Sequence, residues 1–109
     1  MHVFKYFLDI VHNSLEEMMS AGTLSAGLDM GRVAVEPPRD PSHGDIATNA
    51  AMVLAKAAGM KPRDLAEALA ERLGAHTQII SAEVAGPGFI NLRIASEVWL
   101  DALRAVLRE

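Results

Sequence analysis

Apolar residues Phe4, Phe7, Leu8, Val11, Leu15 and Met18 recur at three- and four-residue steps, with Lys5, Asp9, His12 and Glu16 on the remaining faces. That spacing gathers the apolar set on one stripe and predicts an amphipathic helix from His2 to about Ser20. Ala21 to Gly31 sets Gly22, Gly27 and Gly31 around isolated Leu24, Leu28 and Met30, the pattern of a loop or short irregular helix. Val33 to Glu36 reads as a short strand, stopped by Pro37 and Pro38 because proline has no N–H to give to a ladder.

The polar, turn-rich run Arg39-Asp40-Pro41-Ser42-His43-Gly44-Asp45 feeds Ile46-Ala47-Thr48-Asn49 and then the alanine-rich stretch Ala50 to Ala58. Alanine is the strongest helix former, so a helix is expected from near Thr48, with Asp45 or Thr48 as its cap. Gly59 ends it. Pro62 opens the next helix, where its missing N–H costs nothing, and Leu65, Leu69 and Leu73 mark the buried stripe. Thr77 to Ala85, with Ile79, Ile80 and Val84, reads as a strand. Gly86-Pro87-Gly88 follows, a type II turn with Gly88 at positive φ.

Phe89-Ile90-Asn91-Leu92-Arg93-Ile94 alternates strictly, sending Ile90, Leu92 and Ile94 to the core and Phe89, Asn91 and Arg93 to the opposite face. The two runs form an antiparallel hairpin. Ser96 caps a last helix with Trp99, Leu103 and Val106 or Leu107 on one side. The order of elements predicts an α+β fold, a two-layer sandwich in which helices pack on one face of a small antiparallel sheet of about four strands. All 109 residues read as one domain.

Half of the residues are hydrophobic and 22% are charged, enough apolar surface to order a chain of this length. With no cysteine there is neither a disulfide framework nor a thiolate metal site, and the composition fits a cytoplasmic protein. Charge interrupts every apolar run well short of the roughly 20 residues a bilayer crossing needs, so no membrane partner is expected. The net charge of −4 predicts weak binding of nucleic acid by the isolated chain, since affinity for phosphates rests on cations.

Two groups of residues are candidates for chemistry. Phe89, Asn91 and Arg93 place an aromatic, an amide and a guanidinium in one row, the groups that stack on and hydrogen-bond to an unpaired RNA base. Strand alternation alone also allows Phe89 to pack beneath a helix. His43 beside Asp40 and Asp45 could suggest a metal site or a base with its carboxylate, yet no further ligand stands at a matching spacing, and such loops usually satisfy their own backbone. His2, His12 and His76 are isolated, and Met18, Met19, Met52 and Met60 fit gap-filling beside helices. No phosphate-cradling glycine loop and no activated serine or cysteine motif is present, so no residue is assigned a catalytic or metal-binding role.

Pro37-Pro38-Arg39, His43-Gly44-Asp45-Ile46-Ala47-Thr48-Asn49-Ala50-Ala51, Leu54-Ala55-Lys56, Pro62-Arg63 and Val84-Ala85-Gly86-Pro87-Gly88-Phe89-Ile90-Asn91 together resemble, in order and spacing, the successive blocks of the arginyl-tRNA synthetase amino-terminal domain. The resemblance covers nearly the whole chain. It implies a non-catalytic module that reaches the outer corner of tRNA and contacts its D-loop, with the synthetase's catalytic body as its other partner and no role for DNA. It places Phe89 and Asn91 against an exposed D-loop base, with Gly86 in the adjoining turn. Arg93 joins them from alternation alone. The H-G-D block is implied to be structural, turning the chain into the following helix. The parent reaction would use ATP and magnesium, neither held by this domain, because motifs like the family's HIGH and KMSK signatures are absent. Asp101-Ala102-Leu103-Arg104 spells an anticodon-domain motif out of context, as an amphipathic helix can by coincidence. The alternative is a free-standing paralogue that docks to another protein through the Phe89 face.

Overall fold

The structure, a computed structural model, describes residues 3–97 and Leu100. Helix α1 spans Val3–Ser20 and β1 Val35–Glu36; a single 3-10 turn, Pro41–His43, leads to β2 at Ile46–Thr48. Helices α2, Ala50–Ala58, and α3, Pro62–Gly74, then lead to β3, Ile79–Ala85, and β4, Phe89–Ile94. The four strands form one antiparallel sheet in the order β1-β2-β4-β3. This is the α+β two-layer arrangement the sequence predicts. The expected carboxy-terminal helix with Trp99, and the stretch Asp101 to Arg104, lie outside the described residues beyond Ser96, Glu97 and Leu100.

Helix α1 buries Phe7, Val11, Leu15 and Met18 as expected, and also Ile10 and Ser14, which widen the stripe. Phe4 and Leu8 are only partly covered. Leu65, Leu69 and Leu73 of α3 are fully buried, and Pro62 takes the first helical turn. Gly59 stops α2 in the left-handed region at φ 67°, its N–H donating to the carbonyls of Ala55 and Lys56. Beneath these helices lie Ile46, Ile90, Leu92, Ile79 and Ile94, so one face of the sheet is core.

Four local expectations change. The strand expected from Val33 is confined to Val35–Glu36: Val33 turns inward to the core, and Ala34 is engaged by the side chains of Thr48 in β2 and of Asn49 just after it. Helix α2 begins at Ala50 rather than Thr48, after residues 46–48 have joined the sheet. Neither proposed cap takes the N-cap position, which falls to Asn49 without a side-chain cap bond: Thr48 Oγ1 accepts from the Ala50 N–H at 3.2 Å from one residue earlier, and Asp45 points to β4. Met52, expected in the core, is 39% exposed.

Candidate nucleic-acid interface

Strand β4 is an inner strand, paired with β2 on one side and β3 on the other, and its alternation is realised in the burial of its side chains. Ile90 and Leu92 are fully buried, while Phe89 is 36% exposed, Arg93 is exposed and Asn91 is half-buried. Residues directly opposite in an antiparallel pair share a face. Ala85 lies opposite Phe89, Ser81 opposite Arg93, and Asn91 sits in a cross-strand row of Glu36, Ala47, Asn91 and Glu83. The ring of Phe89 is therefore exposed, while Asn91, beside the buried Ala47, is half-buried on the same face. At about 3.4 Å per residue, alternate side chains lie roughly 7 Å apart along the strand.

The hairpin that presents this face differs from the type II turn expected. Ala85 pairs directly with Phe89, enclosing Gly86-Pro87-Gly88 as a three-residue loop, with Gly86 in the left-handed region at φ 56°. Gly88 has the positive φ expected of it, but at 156° rather than near the +80° of a type II turn. A second constraint acts there too: a Cβ on Gly88 would stand 3.0 Å from Pro62 Cβ and 3.2 Å from Met52 Cγ. Gly88 is buried under the start of α3, which fixes how the turn leads into Phe89.

Arg93 is less free than alternation suggests, because its Nη2 donates to the Ser42 carbonyl and lies against the loop before β2. At the other end of β4 the Arg63 guanidinium, from the first turn of α3, donates from Nη1 to the Gly86 carbonyl at 2.5 Å. Arg63, Glu36 and Glu83 were not singled out from the sequence. The glutamates are brought into the row of Asn91 by strand register, Glu83 directly opposite and Glu36 beyond Ala47, which no periodicity reveals; the Pro62-Arg63 block was visible, but its partner was not.

The His43 loop has a different character. His43 is exposed, with Nε2 3.9 Å from the Asp40 carboxylate. Asp40 accepts from the N–H and the hydroxyl of Ser42, at 2.9 and 2.8 Å, and these bonds, with the nearby His43, hold its carboxyl below the usual value. Gly44 has an extended backbone, but a Cβ there would meet the Leu92 carbonyl oxygen at 2.9 Å. Asp45 then clasps β4 twice: its N–H donates to the Leu92 carbonyl at 2.8 Å, and its Oδ2 accepts from the Ile94 N–H at 3.0 Å. Thr48 Oγ1 donates to the Ala34 carbonyl at 2.9 Å, and Asn49 accepts from the Ala34 N–H at 2.7 Å and donates to the Arg32 carbonyl at 3.3 Å. These side chains build backbone. Among the described residues no group of three His, Cys, Asp or Glu is arranged to hold a metal ion.

A helical layer on one face of a four-stranded antiparallel sheet defines the class as a two-layer α+β domain, with Phe89 and Asn91 on the face away from the helices. The family model for the arginyl-tRNA synthetase N-terminal domain matches residues 6–94, and the chain belongs to that family. It is 60% identical over 109 residues to an arginine–tRNA ligase of Paracoccus denitrificans, covering 100% of this chain and 19% of that protein. Against the arginine–tRNA ligase of Nitrobacter hamburgensis it is 58% identical over 108 residues, or 99% of this chain and 18% of that one. The chain thus spans about a fifth of the length of these relatives. The fold is also that of part of the Plasmodium falciparum arginyl-tRNA synthetase, with a TM-score of 0.72 at 17% identity over 94% of this chain and 18% of that one. The Thermus thermophilus arginyl-tRNA synthetase gives 0.65 at 23% identity over 89% and 15%.

Proposed function

We propose that residues 1–109 are the tRNA-recognition domain of an arginine–tRNA ligase, and that the Phe89 face of β4 receives an unpaired base of the tRNA D-loop at the outer corner of the molecule. Phe89 supplies a surface for stacking and Asn91 hydrogen-bonds the base edge. Gly86 lets the chain turn close to the nucleotide, and Arg93 adds positive charge at the far end of the row. One observation carries the reading: the Asn91 amide, unlike that of Asn49, has no hydrogen-bond partner among the described residues while it lies half-buried on the same face as the exposed Phe89.

Arginine activation with ATP and magnesium belongs, on this reading, to a catalytic body that the domain accompanies, working in translation in the cytoplasm. Both relatives quoted above are arginine–tRNA ligases, which leaves a free-standing protein-interaction module without support. Among the described residues no helix is long and apolar enough to cross a membrane.

Charging kinetics of the complete ligase test the reading. Phe89→Ala and Asn91→Ala are expected to raise KM for tRNA roughly tenfold, since stacking on an aromatic is worth about 1 to 3 kcal/mol, and to leave KM for arginine and ATP unchanged. Wild-type tRNA kinetics in both variants would remove the proposed base contact.

A further inference from the structure

The proposed base-reading row lacks an evident partner for the charge that every nucleotide carries. Glu83 stands directly opposite Asn91 and Glu36 lies in the same cross-strand row beyond Ala47, so a phosphate laid across the middle of the sheet meets repulsion. Among the described residues at β4 and its hairpin, the cations stand at the ends of the strand. Arg93 is drawn toward the Ser42 loop at one end, and Arg63 is held at the hairpin tip at the other.

Arg63 is exposed, and among the described residues no carboxylate lies within ion-pair distance of its guanidinium. Its one hydrogen bond, to the Gly86 carbonyl, fixes the planar group beside the loop that leads into Phe89. A guanidinium carries several further N–H donors in a rigid fork suited to phosphate oxygens, and tethering one of them lowers the entropy lost when the others bind. Pro62 sets the distance, since it packs on Gly88 at the base of the same loop.

We infer that Arg63 is a phosphate-binding residue of the tRNA surface, holding the backbone of the nucleotide whose base lies on Phe89. The inference rests on the D-loop reading above and extends it from base to backbone. It gives the Pro62-Arg63 block a use beyond starting a helix. A single point contact, rather than a broad basic patch, also reconciles phosphate binding with a net charge of −4.

The test is the salt dependence of tRNA binding by the complete ligase, measured by fluorescence anisotropy on a tRNA transcript. Each phosphate neutralised contributes about 0.7 to 0.9 to the slope of log K against log salt. Arg63→Gln keeps a donor for the Gly86 carbonyl but removes the charge, so the slope is expected to flatten by about that amount, and Arg63→Lys is expected to restore it. Phe89→Ala is expected to weaken binding roughly tenfold with the slope unchanged. An Arg63→Gln variant with lower affinity but the wild-type slope would overturn the inference and leave Arg63 as a brace for the turn. If Phe89→Ala binds normally while Arg63→Gln flattens the slope, the base-reading surface falls and the inferred placement of the phosphate falls with it.

Discussion

Two polar blocks meet on β4, and they use their side chains in opposite ways. In the segment from Gly44 to Asn49 every polar group with a partner turns inward: Asp45 onto Ile94, Thr48 onto Ala34 and Ala50, Asn49 onto Ala34 and Arg32. In the segment from Gly86 to Asn91 the backbone does the bonding, and the aromatic and amide side chains are left over. Both blocks are equally conspicuous in sequence. A motif whose polar groups are consumed by the fold explains the fold, and one whose groups remain unspent points outward.

The largest expected effect separates the two faces of β4 itself. Leu92→Ala removes a fully buried side chain and is expected to lower stability by about 2 to 5 kcal/mol in urea unfolding, with Phe89→Ala costing far less. Equal losses would make Phe89 a core residue and close the proposed surface. Gly44→Ala comes next. Its Cβ would press on a backbone carbonyl that cannot swing aside, so a loss of about 1 to 3 kcal/mol is expected despite an unremarkable φ. A melting temperature equal to wild type would show that β2 and β4 can part without cost.

Gly88→Ala is expected to cost about 1 to 2 kcal/mol, from positive φ and crowding by Pro62 and Met52. Gly86→Ala, strained in φ but facing open space, is expected to cost about 1 kcal/mol at most, and a reversed order would put the constraint at the other end of the loop. The smallest effect concerns the His43 loop. Asp40 has its folded pKa lowered, so its contribution is present above the ordinary carboxylate value of 3.8 and is lost as pH falls through the folded value. Asp40→Asn should therefore differ slightly from wild type in stability at neutral pH and not near pH 2; a difference that persists in acid would assign the effect to geometry rather than charge.

Much of this was legible because local chemistry and tertiary structure agree. The strict alternation of residues 89–94 is met by a strand that buries Ile90, Leu92 and Ile94, and the leucine stripe of α3 by a helix. The failures share a cause. Asp45 looks like a helix cap, and Gly86-Pro87-Gly88 like a type II turn, as long as only neighbours in sequence are considered. What overrode them is distant: β4 recruits the Asp45 carboxylate, and Pro62 of α3 sits against Gly88. Strand register likewise sets Glu83 opposite Asn91 and Glu36 in the same row beyond Ala47, and Arg63 of α3 reaches a carbonyl in the turn after β3.

The placement of β2 next to β4 has a consequence for the order of folding. The β3–β4 hairpin closes over three residues, whereas β2 reaches β4 only across the whole excursion through α2 and α3. Closing that span costs chain entropy before any contact of β2 repays it, so the local hairpin and the helices should assemble first and the Asp45 clasp should form late. In a stopped-flow experiment Asp45→Asn would then leave the folding rate nearly unchanged and speed unfolding. A slowed folding arm would instead make the clasp between β2 and β4 part of the nucleus.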